Sequence, residues 1–202
     1  MSLLDITESI GIIAFALSGF WVGVEEKLDI LGIFIASFLT ALGGGIIRDV
    51  IVGHLPYSFM NFFPTILVLS VILFAIFLKL HRNLDFQKRK IFIISDSIGL
   101  VSFSTTGSII GVNSGLNFFG VIFLAMITAV GGGILRDILL NRLPTVLKEQ
   151  VYATISLFVG ALIFIIDRFY ELNFCTIFII FSIALTLRLI AYFKDWHLPK
   201  IL

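Results

Sequence analysis

Residues 40–49 read TALGGGIIRD, and residues 128–137 read TAVGGGILRD. Both copies run on to a Leu-Pro pair, and ten of the 17 aligned positions between 40–56 and 128–144 are identical. The same offset of 88 residues aligns earlier positions as well, namely Ser9-Ile10-Gly11 with Ser97-Ile98-Gly99, Phe15 with Phe103, Gly19 with Gly107, Gly23 with Gly111 and Gly32 with Gly120. The chain therefore contains an internal duplication. Each copy places three glycines and an Arg-Asp pair inside apolar sequence, where both are costly unless they line a polar pathway.

Composition indicates an integral membrane protein. Of the 202 residues, 59% are hydrophobic and 13% are charged, whereas soluble domains carry about 25% charged residues. The net charge of +1 favours no nucleic-acid partner. The single cysteine, Cys175, excludes an internal disulfide and cannot form a metal site alone. We expect the 22 Phe residues to contact membrane lipid and to pack helices.

Seven apolar stretches are long enough to cross a bilayer core, which needs about 20 residues per helix. The sequence therefore predicts an all-α membrane protein with seven transmembrane helices, two three-helix repeats and one further helix. Residues 1-88 form the first repeat with a basic cytoplasmic loop, 89-170 form the second repeat, and 171-202 hold the seventh helix and the C-terminus. The predicted spans lie near 5-24, 30-53, 62-80, 91-111, 118-141, 149-167 and 172-193.

Lysine and arginine outside the spans fall mainly on one side, and short cytoplasmic loops hold such an excess. One side carries only Arg168, whereas the other carries ten basic residues: Lys27, Lys79, Arg82, Lys88, Arg89, Lys90, Arg142, Lys148, Lys194 and Lys200. This predicts an outside N-terminus and a cytoplasmic C-terminus. A separate expectation is that the membrane is of the bacterial inner (plasma) type. Three spans per repeat is an odd number, so the repeats are predicted to be inverted, a pattern typical of transport pathways.

The glycine triplets, Gly43, Gly44, Gly45 and Gly131, Gly132, Gly133, lie about halfway along the second and fifth predicted helices. Each glycine costs about 1 kcal/mol of helix propensity relative to alanine. One explanation is a kink or an unwound turn whose carbonyl groups face water. The other is close helix packing, as in GxxxG motifs. Because two triplets occupy equivalent positions, each followed by Arg-Asp, we predict kinks that line a pathway.

We call the part of the pathway lined by the two glycine triplets the waist. Two charge clusters are predicted above and below it, one from Glu8, Arg48 and Asp49 and one from Asp96, Arg136 and Asp137. The offset aligns Glu8 with Asp96. Adjacent residues point about 100° apart on a helix, so we expect each arginine to find its partner on another helix. Two acids against one base leave one net negative charge per cluster, which attracts cations. The alternative is a pair of salt bridges that only hold helices together.

Other polar residues carry weaker predictions. Ser104, Thr105 and Thr106 line a pore wall or bond to their own backbone, and the sequence favours neither. His54, His81 and His197 fall at or beyond helix ends. No nucleophile and base pair or metal-ligand cluster is evident, so neither an enzyme nor a cofactor or metal site is predicted.

The paired Gly-Gly-Gly-x-x-Arg-Asp motifs and the three-plus-three-plus-one spans resemble the prokaryotic branch of the trimeric intracellular cation channel family, TRIC. The resemblance covers nearly the whole chain. It implies a homotrimer in which each protomer has its own hydrated, potassium-permeable pore, bent at the triplets. One departure is that the Lys-Glu-Val element associated with animal members is absent.

Two functions remain open from the sequence. The first is a passive channel for monovalent cations, mainly potassium. The second is a secondary transporter for a small amino acid such as glycine, because related bacterial sequences have been grouped under a glycine-transporter label. Inverted repeats fit both functions.

Overall fold

The computed structural model describes residues 3–80, 86–148 and 151–196. Within these ranges every regular element is α-helical, and the helices follow one another in the order α1 Leu3–Glu25, α2 Ile30–Ile51, α3 Tyr57–Met60, α4 Phe63–Phe77, α5 Phe86–Asn113, α6 Phe118–Leu139, α7 Thr145–Lys148, α8 Ala153–Phe169 and α9 Phe174–Phe193. The all-α class predicted from the sequence is confirmed.

Five of these helices, α1, α2, α5, α6 and α9, are long and apolar enough to cross a membrane. They make the chain an integral membrane protein. The other two predicted spans correspond to α4 and α8, which have 15 and 17 residues. These are shorter than the roughly 20 residues that a straight span needs, so the count of seven spans stays a prediction. The sequence missed α3 and α7, because four-residue helices have no usable periodicity.

The duplication extends to local structure. Helices α2 and α6 begin and end 88 residues apart, and so do α3 and α7. The two long helices also start in the same way, because the side chain of the residue before each one accepts a hydrogen bond from a backbone N–H. Asp29 accepts from the Gly32 N–H at 2.7 Å, and Asn117 accepts from the Gly120 N–H at 2.9 Å. Each copy therefore specifies the same helix boundary with its own capping residue.

The first helices of the two copies, α1 and α5, pack against each other in opposite directions. Near the start of α1, Thr7 Oγ1 lies 3.1 Å from Thr106 Oγ1, and near its end Ser18 Oγ donates to Asp96 at 3.0 Å. Residue numbers thus fall along α5 as they rise along α1. Between these contacts lie the rings of Phe15 and Phe103, equivalent positions in the two copies, with centroids 5.3 Å apart.

Helix α9 lies outside the duplicated unit and packs on α5 and α8, which both belong to the second copy. Its Arg188 is buried and donates to the Val151 carbonyl at 3.2 Å. The same guanidinium lies over the Tyr152 ring, 4.7 Å from the centroid. These contacts tie α9 to the segment that enters α8.

Candidate functional site

The glycine triplets lie where α2 and α6 cross, and both helices continue through them without a break. A Cβ on Gly44 would overlap the Thr128 carbonyl oxygen, and a Cβ on Gly132 would overlap the Thr40 carbonyl oxygen. The two middle glycines therefore let the two backbones touch. Close packing, the second explanation open from the sequence, accounts for them. No unwound turn is present, and a kink at the triplets stays a prediction.

The other glycines of each triplet are less constrained. A Cβ on Gly43 would lie 3.0 Å from Leu135 Cδ1, and one on Gly131 would lie 3.0 Å from Ile47 Cδ1. A Cβ on Gly45 would have Arg48 Nη2 as its nearest contact, at 3.7 Å. Packing therefore demands glycine in the middle of each triplet but not at its end.

The first charge cluster contains the three residues predicted for it. Arg48 is only 1% exposed, and its Nη2 lies 3.1 Å from Glu8 Oε1. Its Nε also donates to Asp49 Oδ1 at 2.8 Å. The expected partner on another helix is thus present, but Arg48 also pairs with its neighbour, because the long arginine side chain can bend back toward the carboxylate although the two Cα–Cβ bonds diverge. The second oxygen of Asp49 accepts from the backbone N–H of Tyr57 at 2.9 Å.

The second Arg-Asp pair repeats this geometry. Arg136 is 2% exposed, and its Nε and Nη2 lie 2.9 and 2.8 Å from Asp137 Oδ1. Asp137 Oδ2 accepts from the backbone N–H of Thr145 at 2.9 Å, which begins α7 as Tyr57 begins α3. Arg136 Nη1 makes one further contact, a 3.4 Å hydrogen bond to Thr40 Oγ1 on α2. Each Arg-Asp pair thus fixes the end of its long helix to the short helix that follows.

Asp96 does not join Arg136, contrary to the prediction. Its Oδ1 accepts from Ser18 Oγ at 3.0 Å, and no ion pair within 4.0 Å links it to a basic group of the described residues. Asp96 is one methylene shorter than its counterpart Glu8, so the same helix position reaches less far. The second cluster is therefore divided into a neutral Arg136–Asp137 pair and a separate buried carboxylate.

A narrow cavity opens beside the first cluster. Its water-accessible volume is about 10 Å³, which is room for about one water molecule. Polar and apolar residues both line it, among them Glu8, Ile12, Gly45, Arg48, Asp49 and Phe103. Arg48 Nη1 is buried without a hydrogen-bond partner in the described residues. The lining thus combines the charged groups of the first cluster with apolar side chains that include the Phe103 ring.

The predicted pore hydroxyls donate to their own helix, and Thr106 Oγ1 also lies against Thr7 of α1. Ser104, Thr105 and Thr106 are fully buried and donate to carbonyl groups four residues earlier, at 2.6, 2.8 and 2.9 Å. This is the second of the two roles left open by the sequence. The sequence reasoning missed Ser18 and Thr40, which contact Asp96 and Arg136. The sequence did mark Thr40, because it aligns with the identical residue Thr128 in the second copy.

Metal binding has no support in the part of the chain that the structure describes, where no three His, Cys, Asp or Glu side chains group together. The remaining chemistry of the site is that of buried charges, hydroxyl groups and closely packed backbone.

Comparisons with known proteins agree with the duplication. A family model described as "Glycine transporter" matches twice, over residues 5–81 and 93–168, and the two matches start 88 residues apart. The UPF0126 membrane protein YvgT of Bacillus subtilis is 36% identical over 97% of this chain and 95% of its own length. A chain from a structure of TRIC cation channels is 32% identical, with a TM-score of 0.84, and the match covers 98% and 97% of the two chains. A crystal structure of a prokaryotic TRIC channel in 0.5 M KCl gives 31% identity, a TM-score of 0.87 and coverages of 97% and 98%.

Proposed function

Because this chain belongs to the TRIC channel family, we propose that it is a cation channel with potassium as its main permeant ion. The structures it resembles along nearly their whole length are those of cation channels. This similarity favours a channel over a transporter.

The observation that carries the proposal is the surplus of acidic over basic groups in the two charge clusters, which lie on α1, α2, α5 and α6. The carboxylates of Glu8, Asp49, Asp96 and Asp137 are opposed there by the guanidinium groups of Arg48 and Arg136. Charges cost several kcal/mol in a membrane interior unless they are paired or hydrated. An excess of negative charge along a pathway attracts cations and repels anions.

We place one pathway in each protomer, between α1, α2, α5 and α6. The antiparallel contact of α1 with α5 supports the inverted arrangement of the repeats. The single-water cavity beside Arg48 would be the outer part of this pathway. Because the cavity is too narrow for a hydrated ion, this conformation would be a non-conducting one, and a bend at Gly45 or Gly133 would widen the passage.

The family resemblance supports a homotrimer surrounded by membrane lipid. The distribution of lysine and arginine supports an outside N-terminus and a cytoplasmic C-terminus, and the class of membrane is taken to be the bacterial inner membrane. Neither an enzymatic reaction nor a cofactor is part of the proposal.

A glycine transporter is the second candidate, since the matching family model carries that description. The two are separated by reconstituting the purified protein into liposomes and measuring thallium entry and radiolabelled glycine uptake in parallel, with protein-free liposomes as the control. We expect rapid thallium entry that a tenfold excess of glycine leaves unchanged. Saturable glycine uptake without thallium entry would instead establish the transporter.

A further inference from the structure

The two copies differ at one pair of equivalent carboxylates, Glu8 and Asp96. Glu8 lies 3.1 Å from Arg48 Nη2, so its charge is compensated, and its side chain is 18% exposed. Asp96 is buried, with 6% exposure, and its one hydrogen bond shown by the structure comes from a neutral hydroxyl. Of the three buried carboxylates among the described residues, Asp49 and Asp137 have arginine partners within 4.0 Å and Asp96 has none.

One hydroxyl group contacts this carboxylate, whereas the equivalent carboxylate of the other copy contacts a guanidinium group. Ser18 Oγ, fully buried, lies 3.0 Å from Asp96 Oδ1. The hydroxyl of Ser97, the residue after Asp96, is buried without a hydrogen-bond partner in the described residues. Ser37 has the same property, and its Cα lies against Gly19, the residue after Ser18. Buried hydroxyls without a partner are rare and call for a ligand or water.

We propose that Asp96 and Ser18 form the principal monovalent-cation binding position of the pathway. The inference rests on the proposed channel function and assigns its selectivity to one carboxylate. A carboxylate oxygen and hydroxyl oxygens suit a potassium ion that has lost part of its hydration shell, because they replace water oxygens with ligands of the same kind. The equivalent position in the first copy binds more weakly, since Arg48 Nη2 lies 3.1 Å from Glu8 and repels a cation there.

The asymmetry has a direct electrostatic reason. A cation beside Asp96 gains the attraction of an uncompensated charge, whereas a cation beside Glu8 also meets the repulsion of the nearby guanidinium. Arg136 does not play the same part for Asp96, because its Nε and Nη2 pair with Asp137 and its Nη1 contacts Thr40 Oγ1 at 3.4 Å. A bound cation would compensate the carboxylate that the fold leaves without a basic partner.

The test uses the purified full-length protein and two readouts. The first is the single-channel conductance and reversal potential in a potassium chloride gradient. The second is the rise in thermal unfolding temperature when potassium replaces N-methylglucamine at equal ionic strength, because a ligand that binds the folded state stabilises it. Asp96→Asn keeps an oxygen that accepts from Ser18 and removes only the charge. Glu25→Gln, at an exposed carboxylate on the last residue of α1, is the matched control for the loss of one charge.

We expect Asp96→Asn to lower the conductance about tenfold, to move the reversal potential toward zero and to abolish stabilisation by potassium, since the attraction between unit charges a few ångströms apart exceeds a factor of ten in binding. Asp96→Glu and Glu25→Gln should retain cation selectivity, and Glu8→Gln should have a smaller effect than Asp96→Asn. If Asp96→Asn does not fold, Ser18→Ala, which removes a ligand and keeps the charge, should weaken the stabilisation.

A conducting wild-type protein whose Asp96→Asn variant keeps the same conductance, selectivity and potassium stabilisation would overturn this inference and leave the channel function intact. A wild-type protein without cation current would overturn the proposed function itself. Equal losses in Glu8→Gln and Asp96→Asn would contradict the asymmetry between the two copies.

Discussion

Substituting alanine at successive glycines of one triplet should give opposite effects on stability. In Gly44→Ala the new methyl group would meet backbone, the Thr128 carbonyl group, which cannot rotate away as a side chain can. In Gly45→Ala the nearest atom would be Arg48 Nη2 at 3.7 Å, an ordinary van der Waals separation. The pair of variants thus adds the same methyl group to the same helix, one residue apart.

The expected magnitudes follow from these distances. Overpacking in a rigid site costs typically about 1–3 kcal/mol, and the upper value applies where the clash is with backbone. Replacing a helical glycine by alanine returns about 1 kcal/mol of helix propensity. Gly44→Ala should therefore lose about 2 kcal/mol, and Gly45→Ala should gain up to about 1 kcal/mol. For a chain of this length these correspond to roughly 4–8 °C lower and 2–4 °C higher unfolding temperatures.

The assay is thermal unfolding of the purified protein in detergent, followed by tryptophan fluorescence, since Trp21 is buried in the core. A thiol-reactive dye is unsuitable because Cys175 is exposed in the folded state. Gly132→Ala and Gly133→Ala in the second copy should repeat the pattern, because a Cβ on Gly132 would meet the Thr40 and Leu39 carbonyl oxygens and one on Gly133 only Arg136 Nη2 at 3.9 Å. Equal destabilisation of the middle and last positions, or a fully stable Gly44→Ala, would refute the packing argument. A stable Gly45→Ala without conduction would support a functional bend at that glycine.

Two further substitutions test contacts around the site. Arg48→Ala should destabilise the protein by about 3 kcal/mol, because it leaves the carboxylates of Glu8 and Asp49 without their cation, and adding Glu8→Gln should recover part of that loss in thermal unfolding; an additive double variant would contradict the pairing. Gly99→Ala should cost about 1–3 kcal/mol, since its Cβ would overlap the ring of Phe15, and combining it with Phe15→Leu should restore stability in a double-mutant cycle; a loss in the pair as large as the sum of the single losses would contradict the contact.

Much of the fold could be predicted from the sequence, because the duplication and the apolar stretches depend on local patterns. The offset of 88 residues predicted equivalent helices, and α2 and α6 follow it at both ends. The membership of the first cluster was also predictable, since a buried arginine requires acidic partners. The finer contacts were not. Whether Arg48 turns back to Asp49 depends on side-chain torsions that sequence spacing does not determine.

The hydrogen-bond partner of Asp96 could not be predicted from the sequence either. Its alignment with Glu8 predicted an equivalent partner, but the shorter side chain and the hydroxyl of Ser18 gave it a different one. The packing of Gly44 on the Thr128 backbone likewise depends on how closely two helices separated by many residues approach each other. Such tertiary distances decide between a kink and close packing as the explanation of a glycine triplet. The sequence alone leaves both explanations open.

The most direct test of the proposed cation pathway is the reversal potential of the purified wild-type protein in a planar bilayer under a tenfold potassium chloride gradient. A cation-selective channel should show unitary currents that reverse near the potassium equilibrium potential, about 59 mV from zero. Unitary currents that reverse at the chloride potential, or an electrically silent protein that takes up glycine, would contradict the account.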